Sequence, residues 1–303
     1  MTRLADLVEL VRAPAALSVP GDVVAGAAAA GALDRRTPAL AGASVLLYWA
    51  GMAANDWADR RLDAVERPER PIPSGRVRPA VAWGVAAGLT AAGLAVATAA
   101  GGRRAAAVAF PLAATIWGYD LRAKDTAAGP AVMAACRGLD VLLGATGGRA
   151  ARALPAALTV AAHTWTVTAL SRREVTGMAD RRLPGLTLAG TALIAVAAPG
   201  RPTVLSGAPC STGGVKRGPF LQLGALVPAV LAAGYAARYG RAQARVLADP
   251  APARVRAAVG AGITGLPALQ GALTARAGAR LLGLAVAGAA PLGRRLARLV
   301  SPT

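Results

Sequence analysis

Four polar side chains recur at helical spacing in the segment NDWADRRLD, which follows a long apolar stretch. Asn55, Asp59 and Asp63 are spaced by four residues, and Asp56 lies three residues before Asp59. In a helix these spacings place the side chains on one face, where like charges repel unless a cation offsets them. Carboxylate and amide oxygens, without histidine or thiolate, suit magnesium, which also keeps waters and substrate phosphates as ligands. The segment therefore predicts a platform for magnesium and a diphosphate.

Arginines and prolines follow the carboxylates in the run ERPERPIPSG. The forked guanidinium groups of Arg67, Arg70 and Arg76 match phosphate oxygens. The prolines stiffen the backbone before Ser74 and Gly75 turn it into the next helix. These arginines are predicted to add positive charge around a bound diphosphate. The alternative is a solvated loop whose arginines serve only membrane topology.

The elements that must position these residues are membrane helices. Of the 303 residues, 55% are hydrophobic and only 16% are charged, and the mean hydropathy is +0.46, whereas a soluble domain has about a quarter charged residues. We predict an all-α, polytopic membrane bundle of about nine transmembrane helices, folded as a single domain over residues 1–303. The predicted spans lie near 15–33, 39–55, 79–99, 104–119, 130–148, 154–170, 183–199, 219–238 and 277–293.

Two features of the chain leave the span count open and set its orientation. The stretch 255–274 is apolar but contains Gly and Pro, so it is either a tenth span or a short interfacial helix. Basic residues are more numerous in the loops after the even-numbered spans than in the opposite loops. This bias predicts a cytoplasmic N-terminus and cytoplasmic active-site loops, in what we expect to be a bacterial plasma membrane. The net charge of +19 lacks an aromatic platform or basic helix, so nucleic-acid binding is not expected.

The acidic segment and the run after it resemble the first signature of the UbiA superfamily of intramembrane prenyltransferases. The matching pattern is Asn55-Asp56-x-x-Asp59-x-x-x-Asp63, followed by Arg67-Pro68-x-Arg70-Pro71-Ile72-Pro73-Ser74-Gly75. The resemblance implies that the aspartates hold magnesium on an allylic diphosphate, with Asp56 and Asp59 as catalytic residues. It also implies that the cytoplasmic face opens into a helical bundle.

A second signature element of the family is a Tyr with a Lys five residues later. Tyr119 and Lys124, at the end of the fourth predicted span, fit this element. Asp120 departs from it, because the family usually has a small polar residue at that position. The resemblance implies catalytic roles for Tyr119 and Lys124. The alternative for Tyr119 is an aromatic anchor at the membrane interface.

The family's second acidic motif, in the loop after the sixth span, is eroded in this chain. Aligned on Gly177, the middle carboxylate of the motif becomes Glu174. The outer two become Ser171 and Met178, while Asp180 lies two positions late. This form of the motif is similar to a divergent EboC-like branch of the superfamily. The expected magnesium ligands are Asp56, Asp59, Asp63, Glu174 and Asp180.

Ionisable residues inside the spans are further site candidates, because charges at membrane depth usually face the bundle interior or a wet cavity. Arg137 and Asp140 are three residues apart on one face and either pair with each other or line a substrate cavity. Asp22 is another candidate for the cavity wall. His163 is either a general base for the acceptor or, as is commoner, a packing residue. The predicted substrate-binding residues are Asn55, Arg67, Arg70, Arg137, Asp140, His163 and Glu174.

These features predict a membrane enzyme that uses Mg²⁺ to transfer a prenyl group. The donor would be an allylic prenyl or polyprenyl diphosphate and the acceptor an aromatic or other small molecule, both bound within the lipid bilayer. Two alternatives stay open. One is an isoprenoid cyclase of the same superfamily, and the other is a membrane carrier or scaffold that binds a polyprenyl compound without transforming it.

Overall fold

The structure is a computed structural model that describes residues 2–177, 181–200 and 219–289. Within these residues the chain forms helices and turns and no strand, which confirms the predicted all-α class. Short 3₁₀ helices cover Ala13–Ser18 and Ala145–Gly147, and π-helical turns cover Tyr119–Ala123 and Ala236–Gly240. The α-helices are α1 (Leu4–Leu10), α2 (Pro20–Ala30), α3 (Thr37–Glu66), α4 (Pro79–Gly118), α5 (Gly129–Gly144), α6 (Ala150–Ser171), α7 (Arg182–Ala197), α8 (Pro219–Tyr235), α9 (Arg241–Ala248), α10 (Pro252–Arg276) and α11 (Arg280–Ala289).

In the described part of the chain, four helical segments are long and apolar enough to cross a membrane. They are Ala13–Ala30, Thr37–Glu66, Pro79–Ala123 and Ala150–Ser171. The third has 45 residues, or about 67 Å of helix, which is more than twice the hydrocarbon thickness of a bilayer. Gly102 interrupts it with φ 61° and ψ −153°, a conformation open mainly to glycine. The predicted spans 79–99 and 104–119 are therefore the two halves of α4, while the total of about nine spans stays a prediction.

Small residues bring α2 and α5 into backbone contact. A Cβ atom on Gly26 would lie 1.8 Å from the Val141 carbonyl oxygen, and one on Gly144 would lie 2.0 Å from that of Val23. Helices in membranes associate through such small-residue interfaces, because lipid provides no hydrophobic drive between them. The close approach places the polar residues of α5 beside those of α2.

The chain folds around two main packed regions. In the first region, α2 to α5 bury residues such as Leu47, Leu112 and Leu143. In the second region, α6, α7, α8 and α10 bury Val160, Tyr235 and other residues. The stretch 255–274 lies within α10, and the second half of this helix is buried in the second region. It is a packed helix of 25 residues but is not among the four segments long and apolar enough to cross a membrane, so both alternatives for this stretch stay open.

Chain direction defines two ends of the first region. Lys124, just after the second half of α4, contacts Asp59 near the end of α3. One end of the first region, which we call the carboxylate end, therefore contains the two termini of α4 and the start of α5. The start of α3, the bend at Gly102 and the end of α5 lie at the opposite end.

Candidate active site

The acidic segment extends α3 beyond its apolar part, as predicted. The helix continues to Glu66, and the backbone N–H of Arg67 donates to the Asp63 carbonyl at 2.8 Å. Asp56 and Asp63 are only 4% and 3% exposed, while Asp59 is partly accessible. Asn55, Asp56, Asp59 and Asp63 form what we call the carboxylate cluster.

Two arginines neutralise the buried members of the carboxylate cluster. Arg12 Nη2 lies 2.8 Å from Asp56 Oδ1. Arg70 Nη1 lies 2.6 Å from Asp63 Oδ2 and 3.4 Å from Asp56 Oδ1. Buried carboxylates are tolerated only when paired, so these contacts explain how a membrane helix keeps both charges.

Lys124 neutralises the third aspartate. Its Nζ atom forms an ion pair with Asp59 Oδ1 and lies 3.5 Å from Asn55 Oδ1. The Asn55 amide nitrogen donates to Asp59 Oδ2 at 3.2 Å. The cluster therefore alternates carboxylate and amide oxygens, which suit a magnesium ion, with cationic donors, which suit phosphate oxygens.

Arg12 was not found by sequence reasoning. It lies in the bend between α1 and the first 3₁₀ helix with φ 48° and ψ 49°. This is a left-handed backbone conformation that residues other than glycine rarely adopt. Its partner, Asp56, is far away in sequence. Only the tertiary fold brings them together, so no local sequence signal could have identified Arg12.

The proline-rich loop is held in place by a separate set of contacts. Arg76 donates to both Glu9 carboxylate oxygens, at 2.6 and 2.9 Å, and to Asp6 at 3.1 Å. The Arg3 backbone N–H and the Arg76 guanidinium hold the pKa of Asp6 below its ordinary value. Arg76 thus fastens the loop to α1, whereas Arg67 is exposed at the end of α3 and contacts none of the carboxylates.

A π-helical turn shapes the second signature element. The Lys124 N–H donates to the Tyr119 carbonyl at 3.0 Å, five residues earlier. Such turns occur often at functional sites, because the extra residue redirects neighbouring side chains. Here the turn places Asp120 in a buried position against α3, with Oδ2 3.4 Å from where a Gly51 Cβ would lie. Sequence reasoning noted Asp120 only as a departure from the family pattern, although an acidic residue beside Tyr119 was a usable signal.

A mostly apolar cavity lies in the first region, one helical turn of α3 from the carboxylate cluster and lined by none of its four residues. It contains about 570 Å³ of space between atoms, part of it open to the surroundings. Gly51 and Met52 on its wall lie one helical turn before Asn55 and Asp56. Its polar lining residues are Ser44, Tyr48, Tyr119, Asp120, Arg137 and Asp140.

Arg137 and Asp140 line this cavity but do not pair with each other. Arg137 Nε lies 2.8 Å from Asp22 Oδ2, and Gln270 Nε2 donates to the other Asp22 oxygen at 2.6 Å. Asp140 instead accepts a hydrogen bond of 2.7 Å from Ser44. Of the two alternatives for these residues, the mutual pair is wrong, because the close packing of α2 on α5 offers Arg137 a different carboxylate, while both residues do line a cavity.

His163 lies in the second packed region and is not part of the cavity lining. It is 1% exposed, and its Nδ1 atom is 2.9 Å from the Tyr235 hydroxyl. The rings of Tyr235 and Tyr239 pack edge-on against it, with centroids 5.3 and 5.4 Å away. This placement supports the packing interpretation and gives no contact through which His163 would act as a base in the cavity.

The remnant of the second acidic motif does not join the carboxylate cluster. Glu174 follows α6, where its backbone carbonyl accepts a hydrogen bond of 3.0 Å from Arg256. Burial raises the pKa of its carboxyl group, and the Arg256 charge partly opposes that rise. Asp180 lies outside the described residues. Within those residues no group of three or more His, Cys, Asp or Glu side chains is placed to hold a metal, so the predicted set of metal ligands is not gathered.

The oxygen donors still fit magnesium in a simpler arrangement. Magnesium commonly takes one or two carboxylates and completes its shell with water and substrate phosphate. One turn of α3 supplies hard oxygen ligands of this kind from the carboxylates of Asp56 and Asp59 and the side-chain amide oxygen of Asn55. The fit is to a shared site with a diphosphate and not to a cage of protein carboxylates.

Taken together, several apolar helices and paired acidic residues one helical turn from an apolar cavity define a membrane protein with a candidate small-molecule site. Residues 18–254 match the UbiA prenyltransferase family, and the chain belongs to this family.

Curated relatives match short parts of the chain. A digeranylgeranylglyceryl phosphate synthase from Methanothrix thermoacetophila is 43% identical over 96 residues, which is 29% of this chain and 36% of that protein. One of the same name from Natronomonas pharaonis is 44% identical over 81 residues, or 26% of this chain and 29% of that protein. The bacteriochlorophyll synthase 33 kDa chain from Rhodobacter capsulatus is 68% identical over 25 residues, 8% of each chain. The chain thus spans about a third of the length of the first two relatives.

Solved structures share the fold over most of the chain. A structure described as giving insights into digeranylgeranylglyceryl phosphate synthase in membranes has a TM-score of 0.66 and 16% identity, covering 91% of this chain and 99% of that one. The apo structure of a UbiA homolog from Aeropyrum pernix K1 has a TM-score of 0.57 and 18% identity, covering 88% and 96%. This similarity confirms the UbiA-like helical architecture.

Proposed function

We propose that this protein is a magnesium-dependent intramembrane prenyltransferase, which moves a prenyl group from an allylic prenyl diphosphate to a small acceptor. The observation that carries the proposal is the position of the carboxylate cluster and its three cationic partners one helical turn of α3 from an apolar cavity. A diphosphate needs the charged end of this site, whereas an isoprenoid tail needs the apolar part. Family membership supports the same reaction class.

The protein's own residues have separable roles in this proposal. Asp56 and Asp59 bind the metal–diphosphate, and the chemistry that bound magnesium supplies is neutralisation of negative charge on the leaving diphosphate. Arg12, Arg70 and Lys124 donate to diphosphate oxygens as charge develops there. The bond between the allylic carbon and the diphosphate oxygen breaks, and its electron pair leaves with the diphosphate.

The cavity wall controls what meets the allylic carbon. Apolar side chains such as Met52, Leu112 and Ile116 exclude water, which would otherwise capture the carbocation. Ser44, Arg137 and Asp140 offer hydrogen bonds deeper in the cavity, so we assign them to the polar part of the acceptor. The names of the relatives concern a glyceryl phosphate lipid and bacteriochlorophyll, and we leave the acceptor class at a small molecule with a nucleophilic atom.

The membrane arrangement follows from the same site. The protein is an integral membrane protein of the UbiA family with several apolar helices. We place the carboxylate end at the cytoplasmic surface of a bacterial plasma membrane, where soluble prenyl diphosphates and magnesium are available. A cysteine-labelling experiment on the loop after α3, in intact cells and in inverted vesicles, tests this orientation.

The test of function compares carboxylate variants of the full-length protein in detergent or vesicles. The assay contains radiolabelled farnesyl or geranylgeranyl diphosphate, magnesium, and a crude lipid extract as the source of acceptor. The wild type should release diphosphate and form a larger labelled product. D56N and D59N should each lose about 100-fold or more in rate, because both remove charge-stabilising ligands. D249N is the matched control, since Asp249 is exposed and its described contacts are the Arg254 side chain and the Ala251 backbone N–H, both away from the carboxylate cluster.

Each result decides between the proposal and its rivals. Saturable binding of the labelled diphosphate without turnover would support a carrier. A labelled hydrocarbon formed without acceptor would support a cyclase. Equal rates in D56N, D59N and D249N would contradict the proposed role of the carboxylate cluster.

A further inference from the structure

A second cavity lies at the opposite end of the first region, away from the carboxylate cluster. It contains about 440 Å³ of space between atoms where three chain reversals meet. The reversals are the α2–α3 turn, the bend in α4 and the α5–α6 turn, and they contribute Asp34, Arg36, Gly101, Arg104, Thr146 and Gly147. We propose that this cavity, the opposite-end pocket, binds the phosphate of an anionic lipid headgroup.

The opposite-end pocket lies at the depth of lipid headgroups. Arg36 directly precedes α3, and Asp56 lies two-thirds of the way along this helix. About 20 residues of helix separate the two, which corresponds to about 30 Å, the hydrocarbon thickness of a bilayer. With the carboxylate cluster at one membrane surface, Arg36 therefore lies at the other.

Two arginines give the opposite-end pocket its charge. Across residues 2–177, 181–200 and 219–289, neither Arg36 nor Arg104 takes part in an ion pair. The one acidic lining residue, Asp34, uses a carboxylate oxygen to accept the Arg36 backbone N–H at 2.8 Å. The N-terminus of α3 adds partial positive charge beside them. Arginine forks match phosphate oxygens closely, so the pocket favours a phosphate group.

Close backbone packing fixes the floor of the pocket. The Arg149 N–H donates to the Ala30 carbonyl at 3.1 Å, and a Cβ on Gly148 would lie 2.4 Å from the same oxygen. The Thr146 hydroxyl donates to the Leu143 carbonyl at 2.8 Å. Since the floor cannot shift easily, the exposed arginine side chains are the parts that close on a ligand.

The depth of the pocket favours a lipid over a soluble phosphate compound. Acyl chains hold a headgroup at this level at high local concentration, and basic residues near a membrane surface attract anionic lipids. A soluble phosphate ion would have to bind from bulk water against salt screening. The two sources share the same chemistry, and an experiment can separate them.

The chain itself supplies a matched control. Arg35 and Arg103 are the immediate neighbours of Arg36 and Arg104, and all four are exposed. Neither Arg35 nor Arg103 lines the pocket. The double variants R36Q/R104Q and R35Q/R103Q thus remove equal charge from the same two turns, and only the first removes it from the pocket.

The experiment uses delipidated full-length protein titrated with phosphatidylglycerol and, separately, with zwitterionic phosphatidylcholine, with bound lipid counted by native mass spectrometry. Wild type should show a saturable first site that prefers phosphatidylglycerol. R36Q/R104Q should weaken this site about tenfold, while R35Q/R103Q stays within about twofold. Thermal unfolding of both variants shows that they are folded. If R36Q/R104Q unfolds, R36K/R104K replaces it. This variant should weaken the site about threefold, because lysine lacks the forked guanidinium group that binds two phosphate oxygens.

Two results would overturn the proposal. Equal weakening by both double variants, or the absence of a saturable site in wild type, would mean that only general surface charge attracts lipid. Displacement of the first phosphatidylglycerol by millimolar inorganic phosphate would show that the pocket prefers free phosphate. No displacement, with selective loss in R36Q/R104Q, supports the lipid headgroup.

Discussion

The two packed regions each contain a π-helical turn with a tyrosine, yet the two turns have different surroundings. The turn at Tyr119–Ala123 faces the cavity and leads to Lys124, which pairs with Asp59. The turn at Ala236–Gly240 buries Tyr239, whose hydroxyl lies 3.1 Å from that of Thr166 and whose ring packs against His163. The same backbone irregularity thus serves a charged site in one region and a neutral core in the other.

The difference shows that the partner helix determines what a π turn does. In the first region the facing helix, α3, carries carboxylates. In the second region the facing helix, α6, offers His163 and Thr166. The His163 and Thr166 side chains of the second region are therefore satisfied by its tyrosines, whereas we expect the carboxylate cluster of the first region to exchange protein partners for a substrate. We expect substitutions in the first region to affect activity and substitutions in the second to affect stability.

The largest effect expected from comparing the two turns comes from removing the cation after the first π turn. Lys124→Met should lower kcat by about 100-fold, because it deletes a donor to the leaving diphosphate and leaves Asp59 unpaired. Diphosphate release from labelled geranylgeranyl diphosphate measures the effect. Arg122→Met removes an exposed charge from the same turn and should change kcat by less than about threefold. Similar losses in both variants would mean that charge in the turn, and not the Asp59 contact, matters.

A smaller effect, on stability alone, is expected in the second region. His163→Ala removes the hydrogen bond to Tyr235 and leaves a space between two packed rings. It should lower the free energy of unfolding by about 2–4 kcal/mol, measured by thermal or denaturant unfolding in detergent. Thr159→Ala, at a partly exposed position of the same helix, should have an effect of less than about 1 kcal/mol. A loss of activity per folded molecule in His163→Ala above about tenfold would contradict the separation of roles.

The smallest effect is expected at Glu174. Burial raises the pKa of this carboxyl group, so its ionised form is disfavoured in the folded protein relative to the unfolded chain. That cost is fully present above the folded-state pKa and disappears below the ordinary value of 4.5. Glu174→Gln should therefore raise the melting temperature slightly at pH 7 and leave it unchanged at pH 4, with activity within about threefold of wild type.

The Glu174 result also bears on the second acidic motif. A loss of activity in Glu174→Gln comparable to that of Lys124→Met would show that the loop after α6 completes the metal site. That outcome would make the two regions partners in one site. Unchanged activity, with the small pH-dependent gain in melting temperature, would keep the site within the first region.

The sequence by itself determined the elements that depend on local spacing. The apolar runs predicted a helical membrane bundle, and the three- and four-residue spacing of Asn55, Asp56, Asp59 and Asp63 predicted their shared helix. The glycine of the bend in α4 also falls between two predicted spans. Such features are local, because hydrophobic periodicity and helix geometry involve only neighbouring residues.

The tertiary structure decided which charges meet. Arg12 reaches Asp56 across 44 residues, and Arg137 pairs with Asp22 and not with its neighbour Asp140. Glycine contacts between α2 and α5 bring Arg137 to Asp22, and no rule of sequence spacing could have predicted this pair. Helix packing also places His163 in the second region, away from the cavity. A charge inside a membrane protein takes the partner that packing brings within reach, since the alternative is an unpaired group in a medium of low dielectric constant.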